Sequence, residues 1–439
     1  MDPGALGSNP GRRHHNNPGA AAARHGAGGA LSDTRPWDFE GARSNGKHLS
    51  RMISPSKPYS QERQAGAPDG RLLFHLVSGD AALAWARLNE NRDAWRGLFE
   101  ECPWSTAFQS PEFFEVWNRH YDKDWVPVLV AARRDGCLAG LLPLAANGNL
   151  LTGVGTHQAD YHGWICAESD VDAFVGGAID AIARSLPGKT LRLRYAPPAL
   201  PADVLRRLRE RNPRIELRQQ HSDELALDHD AISSSLKKKG NASKLKRLGR
   251  RGKMEVRYLA GEELLTHWRR LTAWYDFRQG AMNGICPFHD DPKKSAFHLD
   301  WLNSAPGQVR VSALLVDGEM YSGLILATSK HEAHLAVSAY APEAARNSPM
   351  KLHLYLTAMA LSDEGWRTLD LTPGGDAWKK RFSTGTRWAW EVVVHATSAD
   401  AARASFGRTV REAVRRGMHS VGVSPTKVRV ALQAARKAL

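Results

Sequence analysis

The sequence predicts an α/β fold, with mixed sheets flanked by helices, in which one structural unit occurs twice. Three observations predict it. Asp135-Gly136 and Asp317-Gly318 each join two apolar runs, and Asp-Gly in that setting signals a tight hairpin. Helical-period segments precede both hairpins, and a strand and a helix follow both. The stretch His334–Phe382 then reads strand, loop, helix, strand, a crossover unit.

The chain has 439 residues, of which 42% are apolar, enough for two or three domains with sizeable cores. The sequence divides into a low-complexity tail over 1–70, a first unit over 71–230, a second over 231–400 and a basic helical tail over 401–439. The first 70 residues are rich in Gly, Ala, Pro, Ser, Asn and Arg, so they are expected to stay disordered. No apolar run reaches about 18 residues, and the N-terminus lacks an apolar signal core, so neither a membrane span nor secretion is expected. Cys102, Cys137, Cys166 and Cys286 lack zinc-ligand or redox spacing, so no metal is expected. The predicted setting is the cytoplasm, with the inner face of the cell membrane as a variant.

In chain order, Leu72–Leu76 reads as a strand and Ala81–Glu101 as a helix. Ser110 caps the next helix, with Pro111 at its first position. Val126–Ala132 and Cys137–Leu144 form the first hairpin, and Gly148–His162 a strand and loop lining a cleft. Helix Val171–Leu186, strand Thr190–Tyr195 and helix Ala202–Glu210 complete the first unit. In the second, Glu262–Phe277 and Pro292–Asn303 are helices around a loop at Gly280–Phe288. Val309–Asp317 and Met320–Thr328 form the second hairpin. His334–Tyr340 is a buried strand, Met350–Glu364 a helix, Arg367–Thr372 a strand and Trp388–His395 a closing strand. Thr409–Arg416 and Pro425–Leu439 read as amphipathic basic helices.

Charge is concentrated rather than spread. Ala231–Ala260 holds ten Lys and Arg against Glu255, and Ala401–Leu439 holds nine against Glu412. The net charge is +14, so the rest of the chain is slightly acidic. The basic stretch Ser233–Lys253 reads as a solvated connecting helix, as a contact for phosphates of a cofactor, lipid or tRNA, or as a nonspecific nucleic-acid surface. No aromatic interleaving or DNA-binding motif accompanies it, so no DNA partner is expected.

The loop Ala341–Pro349 feeds the helix that begins near Met350. The free amides of a helix start can hold a phosphate or carboxylate. Equally, Ser348 caps that helix with Pro349 at its first position.

Asn347-Ser348-Pro349, then Leu369-Asp370-Leu371, then Gly374-Gly375-Asp376-Ala377-Trp378-Lys379 resemble the GNAT-fold acyltransferases of the CelD type. These are linked to cellulose and other exopolysaccharide synthesis. The Phe108-Gln109-Ser110-Pro111 helix start is similar too, and the Fem-type aminoacyl transferases look like more distant relatives. Met350 stands where that family usually has Gly, Leu369 where it has Phe, and Trp378 where it has Tyr. The resemblance implies two GNAT-like units in tandem and acyl transfer from acetyl-CoA or another acyl-CoA to an amine or amino sugar.

It places the donor at Arg346, Asn347, Ser348 and Met350, although this loop lacks the usual glycines. Asp370 would orient or deprotonate the amine, with Lys379 balancing its charge, or the two would simply fix the turn as a buried pair. Tyr340 would protonate the leaving thiolate. Gln109, Tyr161, Asp376 and Trp378 are the expected substrate contacts. The alternatives are a Fem-like transferase drawing its donor from tRNA, and a non-catalytic accessory protein of a polysaccharide synthase docked through the basic tail.

Overall fold

The computed structural model describes residues 70–420 apart from Gly375. The expected N-terminal tail and the helix expected at Pro425–Leu439 lie outside the described residues. The first unit contains β1 (Leu73–Ser78), α1 (Asp80–Arg87), α2 (Asn89–Glu101), α3 (Pro111–Tyr121), β2 (Val126–Arg134), β3 (Cys137–Asn147), β4 (Leu150–Gly153) and β5 (Ile165–Cys166). It continues with α4 (Val171–Ser185), β6 (Thr190–Ala196), α5 (Ala202–Arg211) and β7 (Ile215–Ala226). The second contains α6 (His229–Lys237), α7 (Lys239–Gly249), β8 (Met254–Leu259), α8 (Gly261–Asn283), α9 (Pro287–Asp290), α10 (Pro292–Ser304), β9 (Val309–Val316) and β10 (Glu319–Ser329). It ends with β11 (Glu332–Tyr340), α11 (Pro349–Asp363), β12 (Thr368–Pro373) and β13 (Gly385–Val394), and α12 (Ser398–Ser420) follows.

The strands form one mixed sheet in the order β1-β2-β3-β4-β6-β13-β7-β12-β11-β10-β9-β8, with β5 beside β3. The order shows the repetition directly. β1 to β4 and β8 to β11 are matching antiparallel runs, and each is followed by a helix and a parallel strand, β6 or β12. The last strand of each unit crosses over: β7 pairs with β12, β13 pairs with β6, and β7 and β13 pair with each other over ten residues. Each unit therefore completes the other's sheet.

Both hairpins form as expected, with Asp135 and Asp317 at positive φ ahead of their glycines. Ser110 caps α3, its Oγ accepting from the Phe113 amide at 3.1 Å. The single helix expected over Ala81–Glu101 is broken at Leu88, whose extended backbone (ψ 124°) separates α1 from α2. The basic helix is likewise broken at Lys238. α8 runs on through part of the expected loop to a left-handed Gly284. β7 and β8 were not among the expected strands. β7 is half-buried with polar residues throughout, so its apolar signal is weak.

The two units also share a core. Phe113 of α3 meets Trp301 of α10 edge-on at 4.9 Å and Phe297 at 5.7 Å, and all three are essentially buried. A second cluster packs Leu352 and Leu361 of α11 over Leu324, Leu326, Leu369 and Leu371. No described helix is long and apolar enough to cross a membrane.

Because β6 and β7 lean on strands of the other unit, residues 70–230 expressed alone should not fold. Circular dichroism and tryptophan fluorescence during urea unfolding should show no cooperative transition for this fragment, and one coincident transition for the whole chain. A cooperative fragment would contradict the exchange of strands.

Candidate active site at the splayed strands

β11 and β12 run parallel for only three registered pairs, ending at His334 and Asp370. Beyond them β11 follows β10, whereas β12 shifts register against β7 and stops at Pro373. The two strands open into a mouth. Ala336 is skipped in the register between β10 and β11, a bulge on the edge of that mouth. Bulges re-aim backbone groups, and an amide turned into a mouth can stabilise an oxyanion.

The matching mouth of the first unit is filled. β4 and β6 diverge after Thr152 and Arg192, and the His162 ring occupies the gap. A Cβ on Gly153 would lie 2.4 Å from that ring. The Nε2 of His162 donates to the Thr156 carbonyl (2.8 Å), and its Nδ1 accepts from the Arg194 amide (3.1 Å). Burial lowers its pKa to about 4, so it is a neutral, structural histidine.

Asp370 sits at the apex of the open mouth and is fully buried. One carboxylate oxygen accepts from Tyr161 (2.5 Å), the other from Ser222 (2.8 Å) and the Thr372 amide (2.7 Å). His334 Nδ1 and an Arg387 nitrogen each lie 3.5 Å away, and Arg387 also pairs with Glu224 and Glu332. Burial pushes the carboxyl up, but contacts from His334, Tyr161 and Arg387 outweigh it and hold the pKa at about 2. A carboxylate so tied cannot take a proton from an amine near neutral pH. Of the two roles expected of Asp370, orienting or deprotonating the amine, its hydrogen bonds to Tyr161, Ser222 and the Thr372 amide fit the first.

A second carboxylate in this region is Asp160, which was not among the expected site residues. It lies in the loop after β4, and its Oδ2 is buried without a hydrogen-bond partner. Burial raises its pKa to about 6; His334 and Lys379 pull it down, and the Asp370 charge pushes it up. Tyr275 of α8 and Lys294 of α10 feel its charge. Asp160 thus lies within electrostatic reach of the apex, on the loop that also carries Tyr161 to Asp370. Burial holds Lys294 down to about 8, and its ammonium donates to Gln158, whose amide also donates to Asp291 (3.0 Å). On the other flank Arg278 donates to Ser338 of β11 (3.0 Å). Nothing in the local sequence, Gln158-Ala159-Asp160-Tyr161, distinguishes Asp160 from an ordinary loop residue.

At the far end of the mouth the chain makes a short 3-10 turn, Pro342–Asn347, before α11. Ser348 is left-handed (φ 50°, ψ 52°) and makes no capping bond with its side chain, contrary to the expected cap. Its hydroxyl is turned toward Lys244 of α7 and accepts from that ammonium at 2.7 Å. Lys351 in the first turn has its pKa lowered by burial and by the charges of Lys244, Arg381 and Lys238. Four cations from three segments thus surround one helix start. Arg346 is exposed, Asn347 is buried with its Oδ1 unpartnered, and Met350 is half-buried.

The other expected site residues are redistributed. Tyr340 is the last residue of β11, six residues from His334 and so about 20 Å from the apex. It belongs to the cationic end. Lys379 is buried and donates to the Thr372 carbonyl (2.9 Å), with Asp376 at 4.0 Å, so the expected direct pair with Asp370 does not form. Gln109 and Tyr161, expected at the substrate, are buried and satisfied. Gln109 accepts from Thr106 and donates to the Tyr161 carbonyl (3.0 Å), and Tyr161 serves Asp370. Trp378 packs edge-on against Phe382 (5.8 Å), and Asp376 is partly exposed. Among the described residues no cluster of His, Cys, Asp or Glu is arranged to hold a metal.

Asp370→Asn should destabilise the protein by about 2–4 kcal/mol, because it leaves His334 and Arg387 without their buried anion. The pKa of Asp370 is depressed in the folded state. Its contribution is therefore present above about pH 4, the unfolded value, and is lost as pH falls toward about 2. Denaturant unfolding of both proteins between pH 7 and pH 3 should show the gap narrowing at the acid end.

No curated protein sequence matches the chain significantly. Among solved structures, FemX resembles it at 11% identity and a TM-score of 0.48, covering 69% of this chain and 95% of FemX. L-PGS from Bacillus licheniformis does so at 12% identity and 0.45, covering 68% and 90%. A tandem GNAT protein from the clavulanic acid biosynthesis pathway does so at 11% identity and 0.41, covering 74% and 99%. Residues 237–380, the stretch that holds the open mouth and its cationic end, match the family model described as an acetyltransferase (GNAT) domain.

Proposed function

We propose that this chain is an N-acyltransferase in which Asp160 accepts the proton of an amine that attacks an acyl thioester lying in the β11–β12 mouth. The observation that carries the reading is the position and state of Asp160. Its Oδ2 is buried without a hydrogen-bond partner, and its pKa is raised to about 6 within electrostatic reach of His334 and Asp370 at the apex. A general base works best when its pKa lies near the working pH.

The donor lies along β11. Its phosphates meet Lys244, Lys351 and the start of α11, and its thioester reaches the apex. The mouth separates these two ends as a long-armed thioester requires. The amide at the Ala336 bulge faces the carbonyl oxygen as negative charge develops. The C–N bond forms, the C–S bond breaks, the amine proton passes to Asp160 and the thiolate departs. Asp370 holds Tyr161, and through it the Asp160 loop, so the two reactants meet in one geometry. Acyl-CoA is the donor this reading assigns. The acceptor is an amine or amino sugar of envelope or exopolysaccharide synthesis, which rests on the sequence resemblance.

A second reading is favoured by one observation. α7, with exposed Lys246 and Arg247, carries Lys244 to the mouth, so the cationic end continues onto an open basic surface. A donor carried on a larger polyanion, such as an aminoacyl-tRNA, would use that continuation.

Calorimetric titration of the full chain with CoA, acetyl-CoA, a long-chain acyl-CoA and tRNA separates the two. Saturable CoA binding, weakened about tenfold or more by Lys351→Glu, is the expected result. Binding of tRNA alone would transfer the donor to the second reading, and binding of none would remove both. With a donor identified, kcat should rise with pH through about 6, because the base must be ionised, and Asp160→Asn should lower kcat by about 100-fold or more and abolish that limb. An unchanged pH profile in Asp160→Asn would exclude Asp160 as base.

A further inference from the structure

α12 presents its sides in an unusual way. The positions turned partly inward include Ala401, Ala404 and Arg408, and Arg408 pairs with Glu216 of β7 (2.5 Å). The large apolar residues point the other way. Phe406 is 73% exposed, Val410 45% and Val414 57%. They stand four residues apart and so share one face of the helix. A helix that only packs on its own protein buries its apolar stripe and shows its polar face. Here an arginine meets the protein body while phenylalanine and two valines meet solvent.

The charge around this stripe is predominantly positive, with Asp400 and Glu412 as the acidic residues of α12. Residues 401–439 carry nine Lys and Arg against Glu412 alone, the greatest excess of positive charge outside the α6–α7 region. Exposed Arg403 and Arg416 belong to α12 itself. An apolar stripe on a helix rich in arginine is the pattern of a helix that lies in the plane of a lipid interface. Its apolar side enters the acyl boundary while its cations meet anionic headgroups. A protein partner would be matched by the apolar stripe alone. The large positive excess is matched by a surface that is negative everywhere, and this favours a bilayer.

We infer that α12 docks this protein on an anionic membrane surface, with Phe406, Val410 and Val414 inserted and the basic C-terminal segment held at the headgroups. The inference is independent of the proposed chemistry, because no residue of the mouth takes part in it.

The test is flotation of the full-length chain with vesicles of phosphatidylcholine alone and of phosphatidylcholine mixed with phosphatidylglycerol. Binding is expected to the mixed vesicles, about tenfold or more stronger than to neutral ones, and to weaken as salt is raised. The triple variant Phe406→Ser, Val410→Ser, Val414→Ser should lose at least about tenfold in binding, since each buried CH2 adds measurably to membrane affinity. Its circular dichroism and unfolding midpoint should match those of the natural chain, because the three side chains are exposed on the described fold. A second variant, Arg416→Gln, Lys427→Gln, Arg429→Gln, should weaken binding to anionic vesicles and leave the neutral-vesicle baseline unchanged. Equal binding to both vesicle types, or full binding by the serine variant, would overturn the inference. So would absence of vesicle binding together with self-association, seen by analytical ultracentrifugation, that the serine variant abolishes. That result would make the face a contact between copies of this chain.

Discussion

One buried carboxylate holds the two units in register. Asp370 has no solvent to share its charge, so its stability depends entirely on protein groups, and these come from four segments. Tyr161 reaches it from the loop after β4, Ser222 from β7, His334 from β11 and Arg387 from β13. Two of those segments belong to the first unit and two to the second. Losing any one contact leaves a charge incompletely solvated in a low-dielectric site, a large penalty compared with the marginal stability of a folded domain. The opening of β11 from β12, the seat of the Asp160 loop and the pairing of β7 with β12 all converge on this group.

The apex then assigns opposite states to two nearby carboxylates. Asp370 is fully buried, surrounded by donors and cations, and stays ionised far below neutrality, while Asp160 is only partly buried but has one dry oxygen without a donor and is pushed up. Environments that drive two acids apart in pKa separate a structural role from a chemical one. The same physics operates at the other end of the mouth, where Lys351 is pressed by neighbouring cations and gains from any anion that arrives.

The order of elements was legible in the sequence because each signal is local. The two Asp-Gly hairpins, the Ser110-Pro111 helix start and the strand–helix–strand around α11 depend on residues within a few positions of one another. Asp370 was legible as important, but not as a buried anion, since its partners lie up to 209 residues away. Asp160 was not legible at all. Its distinction is a missing hydrogen bond and a set of distant charges, and neither leaves a trace in the neighbouring sequence. Ser348 misled for a related reason: its residue type is right for a cap, but the 3-10 turn before it sets a left-handed backbone and hands its hydroxyl to Lys244. The strand β7 was missed because a strand buried by exchange need not alternate cleanly between apolar and polar residues.

The plugged mouth of the first unit has a wider consequence. Two copies of one fold begin with two equivalent openings, and a duplicated enzyme would then work twice per chain. Here the ring of His162 closes the first opening from within, and the loop that delivers it also delivers Asp160 and Tyr161 to the second. The first copy fills its own opening and lends residues to the wall of its twin's. The tandem chain thus keeps one open mouth, walled in part by its first unit, and neither unit is free to drift without altering the opening that remains.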